Sequence, residues 1–198
     1  MSKILMDYGH GGTDPGGTGN NLREKDLTLS IGKKTTKILR DHGVEVVETR
    51  TTDKTVSLKE RTNLANKEKV DALVSLHINA FTVITANGVE TFSYPGSTKG
   101  SANLSKAIQD ELVSSKLFKT NRGTKTANFH MLRESNMTAA LTELGFITNK
   151  DDAQVLKTKE DELALALAKG ILNYLGIKYK GTSNVSGIPI ASKGKVLS

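Results

Sequence analysis

The side chains best suited to chemistry are two histidines. His10 is set between Gly9 and Gly11-Gly12, and His77 lies in Ser75-Leu-His77-Ile-Asn79. The chain has four histidines and no cysteine, so a metal must be held by His, Asp and Glu, and thiolate chemistry is excluded. Glycines on both sides of His10 let a metal or a backbone approach closely, which argues against a packed-core role. Alternation puts Val74, Leu76 and Ile78 on one face of a strand and Ser75, His77 and Asn79 on the other. Taken singly, His10 reads as a surface-loop residue and His77 as a satisfied core histidine. As a pair at one sheet edge they are better explained as ligands of one metal. His42, beside Gly43, reads as a helix-end residue and His130 as part of a strand, and neither is given a role.

Catalytic zinc commonly keeps three protein ligands and one open position, so a third donor is expected. Glu24, just after the His10 loop, is the best candidate, although Asn21-Leu-Arg-Glu24 also reads as a helix start in which a first-turn carboxylate is favoured for its own sake. Asp7, Asp14 and Asp26 remain rivals on spacing alone. Glu143 is the more telling acid. It sits in Ala139-Ala-Leu-Thr-Glu143-Leu-Gly-Phe-Ile, an apolar strand where an unpaired carboxylate is costly. Burial raises a carboxyl pKa toward the range useful for a general base.

The elements that must position these groups follow from hydrophobic period and punctuation. Residues 3–9 read as a buried strand, 25–40 as a helix with Leu27, Ile31, Thr35 and Ile38 on one face, and 44–49 as a strand. Ser57-Leu-Lys-Glu60 is a capping box that opens a helix to about Lys69, and 72–79 is a third strand. This β-α-β-α-β opening favours a parallel sheet. Further strands are expected at 88–94, 129–132 and 139–144, and helices at 101–114, 149–156 and from a cap at Thr158-Lys-Glu-Asp161 to Tyr174. The expected fold is an α/β three-layer sandwich, with a mostly parallel, mixed sheet of about six strands flanked by about five helices. In such a sheet ligands gather outside the carboxyl ends of the strands, where His10, His77 and Glu143 all fall.

At this point the motifs carry a resemblance. Asp7-Tyr-Gly-His10-Gly-Gly-Thr-Asp-Pro-Gly, Glu24, Ser75-Leu-His77-Ile-Asn-Ala80, Asn121-Arg-Gly with Leu132-Arg133, and Glu143-Leu-Gly-Phe-Ile-Thr-Asn149 together resemble the zinc-dependent N-acetylmuramoyl-L-alanine amidases of the Amidase_3 type. The resemblance covers residues 3 to 175, and its specificity lies in the conjunction. Tyr8, Thr138 and Thr142 depart from the residues usual there. The resemblance implies that His10, Glu24 and His77 hold Zn²⁺, that Glu143 is the catalytic acid/base, and that Asn79 and Arg133 lie near the stem peptide. The implied reaction cleaves the amide between N-acetylmuramic acid and L-alanine in bacterial peptidoglycan.

Charge and composition set the partners. The net charge is +7, and residues 176–198 supply four of these through Lys178, Lys180, Lys193 and Lys195 with no acid, which leaves three for the rest. With aromatic residues at 5% and no tryptophan, nucleic acid is not the expected partner. No apolar run is long enough to cross a membrane, so no membrane insertion is expected. Residues 1–176 read as the catalytic domain and likewise as a monomeric module. Residues 177–198 read as a linker, with Gly181–Gly187 at its centre, leading to a wall-binding region and able to attract anionic wall polymers. The N-terminus lacks the form of a secretory leader, so the expectation is synthesis in the cytoplasm and action on the wall after release through a holin-type pore, as for a phage endolysin; a bacterial autolysin fits the same residues. The alternatives are a non-catalytic wall-binding domain of the same fold, and a zinc peptidase cutting another amide of the stem.

Overall fold

The computed structural model describes residues 1–181. The chain runs β1 (Lys3–Tyr8), β2 (Thr18–Gly19), β3 (Leu22–Arg23), α1 (Glu24–Asp41), β4 (Glu45–Glu48), α2 (Leu58–Glu68), β5 (Ala72–Asn79), β6 (Val89–Ser93), α3 (Lys99–Ser114), β7 (Asn121–Thr126), α4 (His130–Arg133), β8 (Thr138–Phe146), α5 (Lys150–Thr158) and α6 (Glu160–Tyr174). One six-stranded sheet has the order β4-β1-β5-β8-β6-β7, and β2 and β3 form a separate two-stranded ribbon in the loop between His10 and Glu24. Every neighbouring pair in the large sheet is parallel except β6 against β8. The expected mixed, mostly parallel α/β sheet is present.

The two faces of the sheet are covered unequally, and this positions the site. On one face Ile4, Met6, Val74, Leu76, Ala140 and Leu144 pack with residues of α1, α3 and α6 in the larger core. On the other, Leu5, Leu73, Ala139 and Leu141 are covered by Ala65 of α2 and by Met131 and Leu132 of the single-turn α4. These short elements leave the carboxyl-end half of that face open. The odd-numbered side chains of β1, β5 and β8 there are Asp7, Ser75, His77 and Glu143, set side by side by the registers Asp7↔Ser75 and His77↔Glu143; Asp7 and Ser75 are fully buried, with Arg61 of α2 over Asp7, while His77 and Glu143 are partly exposed.

Local signals explain most boundaries. Ser57 and Glu60 form the reciprocal capping box read from the sequence, and Asn149 caps α5 by accepting from Asp151 N and Asp152 N. His42 is the C-cap of α1. Its Nδ1 donates to the Ile38 carbonyl, and its Nε2 accepts from Lys180 N. Tyr179 stacks on the same ring, so residues just past α6 pack back on the fold. Residues 182–198, which include most of the expected linker, lie outside the described residues.

Three readings need correction. Residues 129–132 are not a strand: His130–Arg133 is one helical turn, in which consecutive Met131 and Leu132 are both buried, a pattern a half-buried strand does not allow. His130 ties this turn to α2 through Thr62 Oγ1 at 3.3 Å. The sixth strand is instead β7, Asn121-Arg-Gly-Thr-Lys-Thr126, an edge strand with no apolar residue and therefore no alternation to read. Thr158 does not cap α6; the N-cap is Lys159 without a side-chain bond, and Thr158 Oγ1 donates back to the Gln154 carbonyl at the end of α5. The described residues hold six helices, against the five expected.

Helices α3 and α6 touch closely enough to require glycine. A Cβ on Gly170 would stand 2.6 Å from Ile108 Cα and 2.9 Å from the Ala107 carbonyl oxygen. Gly170→Ala should lower stability by about 1–3 kcal/mol through the forced separation of the helices, although alanine is the better helix former by about 1 kcal/mol. Urea denaturation reads the change, and an unshifted midpoint would contradict this packing.

Candidate metal centre and its carboxylate

The donors of the candidate site come from three separate segments. His10 follows β1 in the left-handed region, with φ 61°, a conformation that a non-glycine residue holds only under constraint. Glu24 is the first residue of α1, and His77 is the sixth residue of β5. Glu24 Oε1 lies 3.2 Å from His10 Nε2 and 3.0 Å from His77 Nδ1. The ligand atoms of the three residues all fall within 4.8 Å of one another, the one such group of three or more among the described residues. The imidazole rings meet edge to face, with centroids 5.0 Å apart.

Glu24 does begin α1, in the first turn where an acid is favoured, but helix capping does not account for its carboxylate. The N-cap is Arg23, with no side-chain capping bond, and the Glu24 carboxylate reaches away from its own helix. Oε2 accepts from Gly17 N at 2.7 Å and Oε1 from Ile78 N at 2.9 Å. The rival acids are engaged elsewhere. Asp26 pairs with Arg23. Asp7 is fully buried and accepts from Thr49, Ser75 and Arg61. Asp14 stands behind His10, its Oδ2 2.8 Å from Nδ1, so the ring presents Nε2 to Glu24 and His77.

The space around the triad is cut to fit. A Cβ on Gly9 would lie 2.5 Å from the His77 ring, and one on Gly16 would lie 2.6 Å from both Glu24 Oε2 and the His10 ring. Two buried arginines fix the loop. Arg50 donates to the carbonyls of Tyr8, Gly9 and Lys25, and Arg61 to those of Tyr8 and His10. A cavity of about 330 Å³ opens beside the histidines, lined by Gly11, Asp14, Thr55, Val56, Ser57 and Leu58 among others.

The charges suit a cation. Burial raises the Glu24 pKa, but contacts with both histidines outweigh it and hold the carboxyl far below the ordinary range. Burial lowers the His10 pKa, yet bonding to Glu24, reinforced by Asp14, pushes it up to about 9. His77 is raised for the same reason, by Glu24 and then Glu143. The same carboxylate that favours a proton on each ring would favour a divalent cation between the donors. Two imidazoles and one carboxylate form a ligand set that suits zinc.

The family model for N-acetylmuramoyl-L-alanine amidases of the Amidase_3 type matches residues 4–173. The chain belongs to this family. A sporulation-specific N-acetylmuramoyl-L-alanine amidase of Bacillus subtilis is 40% identical over 196 residues, covering 97% of this chain and 75% of that protein. An endolysin of Bacillus phage SPP1 is 38% identical over 191 residues, covering 91% of this chain and 69% of the endolysin. The crystal structure of an N-acetylmuramoyl-L-alanine amidase from Clostridium difficile superposes with a TM-score of 0.84 at 40% identity, covering 88% of this chain and 97% of that one.

In this amidase-family chain Glu143 lies directly across the ladder from His77. Its Oε2 is the one buried side-chain polar atom among the described residues without a hydrogen-bond partner. Burial, aided by Glu24 and Glu90 and opposed by His77, pushes its pKa up to about 8. Asn79, two residues beyond His77, donates Nδ2 to Glu90 at 2.7 Å. Arg133 is tied on the surface of α4 to Asn128 and Glu134. Tyr8 bonds Thr36 and Thr142 bonds Thr91, both on the sheet face away from the donors. Sequence reasoning did not find the roles of Arg50 and Arg61. A buried arginine that serves backbone carbonyls leaves no motif.

Two outcomes follow from this geometry. Asp14→Ala should free the His10 ring and weaken metal binding about 10–100-fold, read by titration against a competing chelator; an unchanged affinity would show that Asp14 does not orient the ring. In metal-free protein, a Glu143 pKa of about 8 against an ordinary 4.5 means that the fold favours the neutral acid. Stability is full below the ordinary pKa and falls as pH climbs toward the folded one. Glu143→Gln should therefore match the parent near pH 4.5 and exceed it by about 1–3 kcal/mol near pH 8. A pH-independent difference would contradict the burial of this acid.

Proposed function

We propose that this chain hydrolyses the amide between the lactyl group of N-acetylmuramic acid and the first L-alanine of the stem peptide, with a zinc ion held by His10, Glu24 and His77 and with Glu143 as general acid and base. The single observation that carries the reading is the buried, orphaned Oε2 of Glu143, on the strand position directly beside His77. A buried carboxyl without a partner is costly, and its natural partners are those a reaction brings.

When bound, zinc supplies a Lewis acid that polarises the scissile carbonyl and makes water acidic enough to react near neutral pH. Glu143 takes a proton from the attacking water as the carbon–oxygen bond forms. It then gives that proton to the alanine nitrogen as the carbon–nitrogen bond breaks, and the remaining acid proton passes to the freed amine, leaving a lactyl carboxylate and an alanine ammonium group. Its raised pKa suits both roles. Asp14 keeps His10 in one tautomer, and the positions of Gly9 and Gly16 leave room for the rings and no more. The tail beyond Gly176 is read as an accessory that draws the catalytic unit to anionic wall polymers, an effect that salt would weaken. Release from the cytoplasm onto the wall at lysis is the setting proposed, and the likeness to an endolysin supports it.

Digestion of purified peptidoglycan tests the reading through the ends it creates. New N-terminal L-alanine is expected; new reducing sugars or new internal amino groups would overturn it in favour of a glycosidase or an endopeptidase. Glu143→Ala should lower turnover by at least about 10³-fold while zinc stays bound, and a variant that still clears walls would remove Glu143 from its role.

A further inference from the structure

Beside Glu143 the sheet holds a second buried acid that the reaction does not use. Glu90 of β6 is 3% exposed and stands opposite Glu143 in the antiparallel register. Its carboxylate accepts from Asn79 Nδ2 at 2.7 Å, from Arg122 Nε at 3.1 Å and from Lys125 Nζ. A single cation would neutralise it. Two are present, so the cluster carries a surplus positive charge, and both cations are partly open to solvent, with side chains 32% and 41% exposed.

Both cations have donors to spare. Arg122 gives Nη1 to the Asn87 carbonyl at 3.5 Å, and its Nη2 meets no acceptor among the described residues; Lys125 Nζ has Glu90 alone. Arg122 is also aimed. It is the extra residue of a bulge between Val89↔Asn121 and Glu90↔Gly123, and its guanidinium lies 4.9 Å above the Phe146 ring, three residues beyond Glu143. Lys125 pairs with Phe92, whose other partner is Leu141, on the sheet face of Glu143.

Resting on the amidase reading above, we propose that Arg122 and Lys125, braced by Glu90, bind a free carboxylate on the stem peptide and so fix its direction across the site. Both cationic heads bond Glu90, which stands directly opposite Glu143 with Cβ atoms about 5 Å apart, so they lie within roughly 10 Å of the acid/base. An extended peptide advances about 3.5 Å per residue, so the group in reach is the free α-carboxylate of the second stem residue.

The test uses zinc-loaded protein and two synthetic stem tripeptides that differ only in whether the second residue carries a free α-carboxylate or its amide. The acid should bind about tenfold more tightly than the amide, and Arg122→Gln or Lys125→Gln should bring the ratio close to one. A parent protein with no preference, including one that binds neither peptide, overturns the proposal. So do variants that weaken both peptides equally, since a staple holding β7 in place would act that way and would also lower the melting temperature. The amidase reading fails separately, when muropeptides of either kind release no N-terminal L-alanine while the binding ratio is still measured.

Discussion

Two buried guanidinium groups hold the candidate metal site together. Arg50, 1% exposed, gathers the carbonyls of Tyr8, Gly9 and Lys25, and so joins the end of β1 to the first turn of α1. Arg61, 3% exposed, comes from α2 and reaches the carbonyls of Tyr8 and His10 and the carboxylate of Asp7. Burying two cations is expensive, and only dense hydrogen bonding offsets it. These arginines find that bonding in the Tyr8, Gly9 and His10 carbonyls at the carboxyl end of β1, in the Lys25 carbonyl of α1 and in the Asp7 carboxylate. The result fixes the distance between His10 and Glu24, which a glycine-rich loop of thirteen intervening residues could not do alone.

Around this clamp the sheet does the rest by register. Odd-numbered side chains of β5 and β8 share one sheet face and Glu90 of β6 continues the row, so the candidate ligand His77, the proposed base Glu143 and the braced acid Glu90 stand side by side. A slip of one residue in β8 would turn Glu143 into the core beneath α3 and α6. The apolar residues flanking Glu143, Leu141 toward α4 and Leu144 toward the larger core, hold that register. Glu143, the proposed acid/base, is thus kept in place by the hydrophobic contacts of its neighbours.

Much of this was legible in the sequence, for identifiable reasons. His10 and His77 stood out because a glycine-flanked histidine and a histidine on a strand with apolar alternation both point to one sheet edge. Glu143 stood out because an acid in an apolar strand is costly. Glu24 did not separate from Asp7, Asp14 and Asp26 by spacing, since its role depends on a reach across to Ile78 N that no local pattern encodes. Strand β7 was missed because every residue in it is polar, and α4 was misread because one turn is too short to display a helical period. The partnership of Glu90 with Arg122 and Lys125 was hidden by 32 and 35 residues of separation and by a bulge.

The central claim is that His10, Glu24 and His77 form one metal site. Zinc K-edge absorption on zinc-loaded protein tests it most directly, because it counts ligands without reference to activity. The account predicts one zinc per chain with two imidazole nitrogens and a carboxylate oxygen at about 2.0–2.2 Å, and one imidazole fewer in His77→Ala. Failure to retain zinc, or a ligand shell unchanged by His77→Ala, would contradict it.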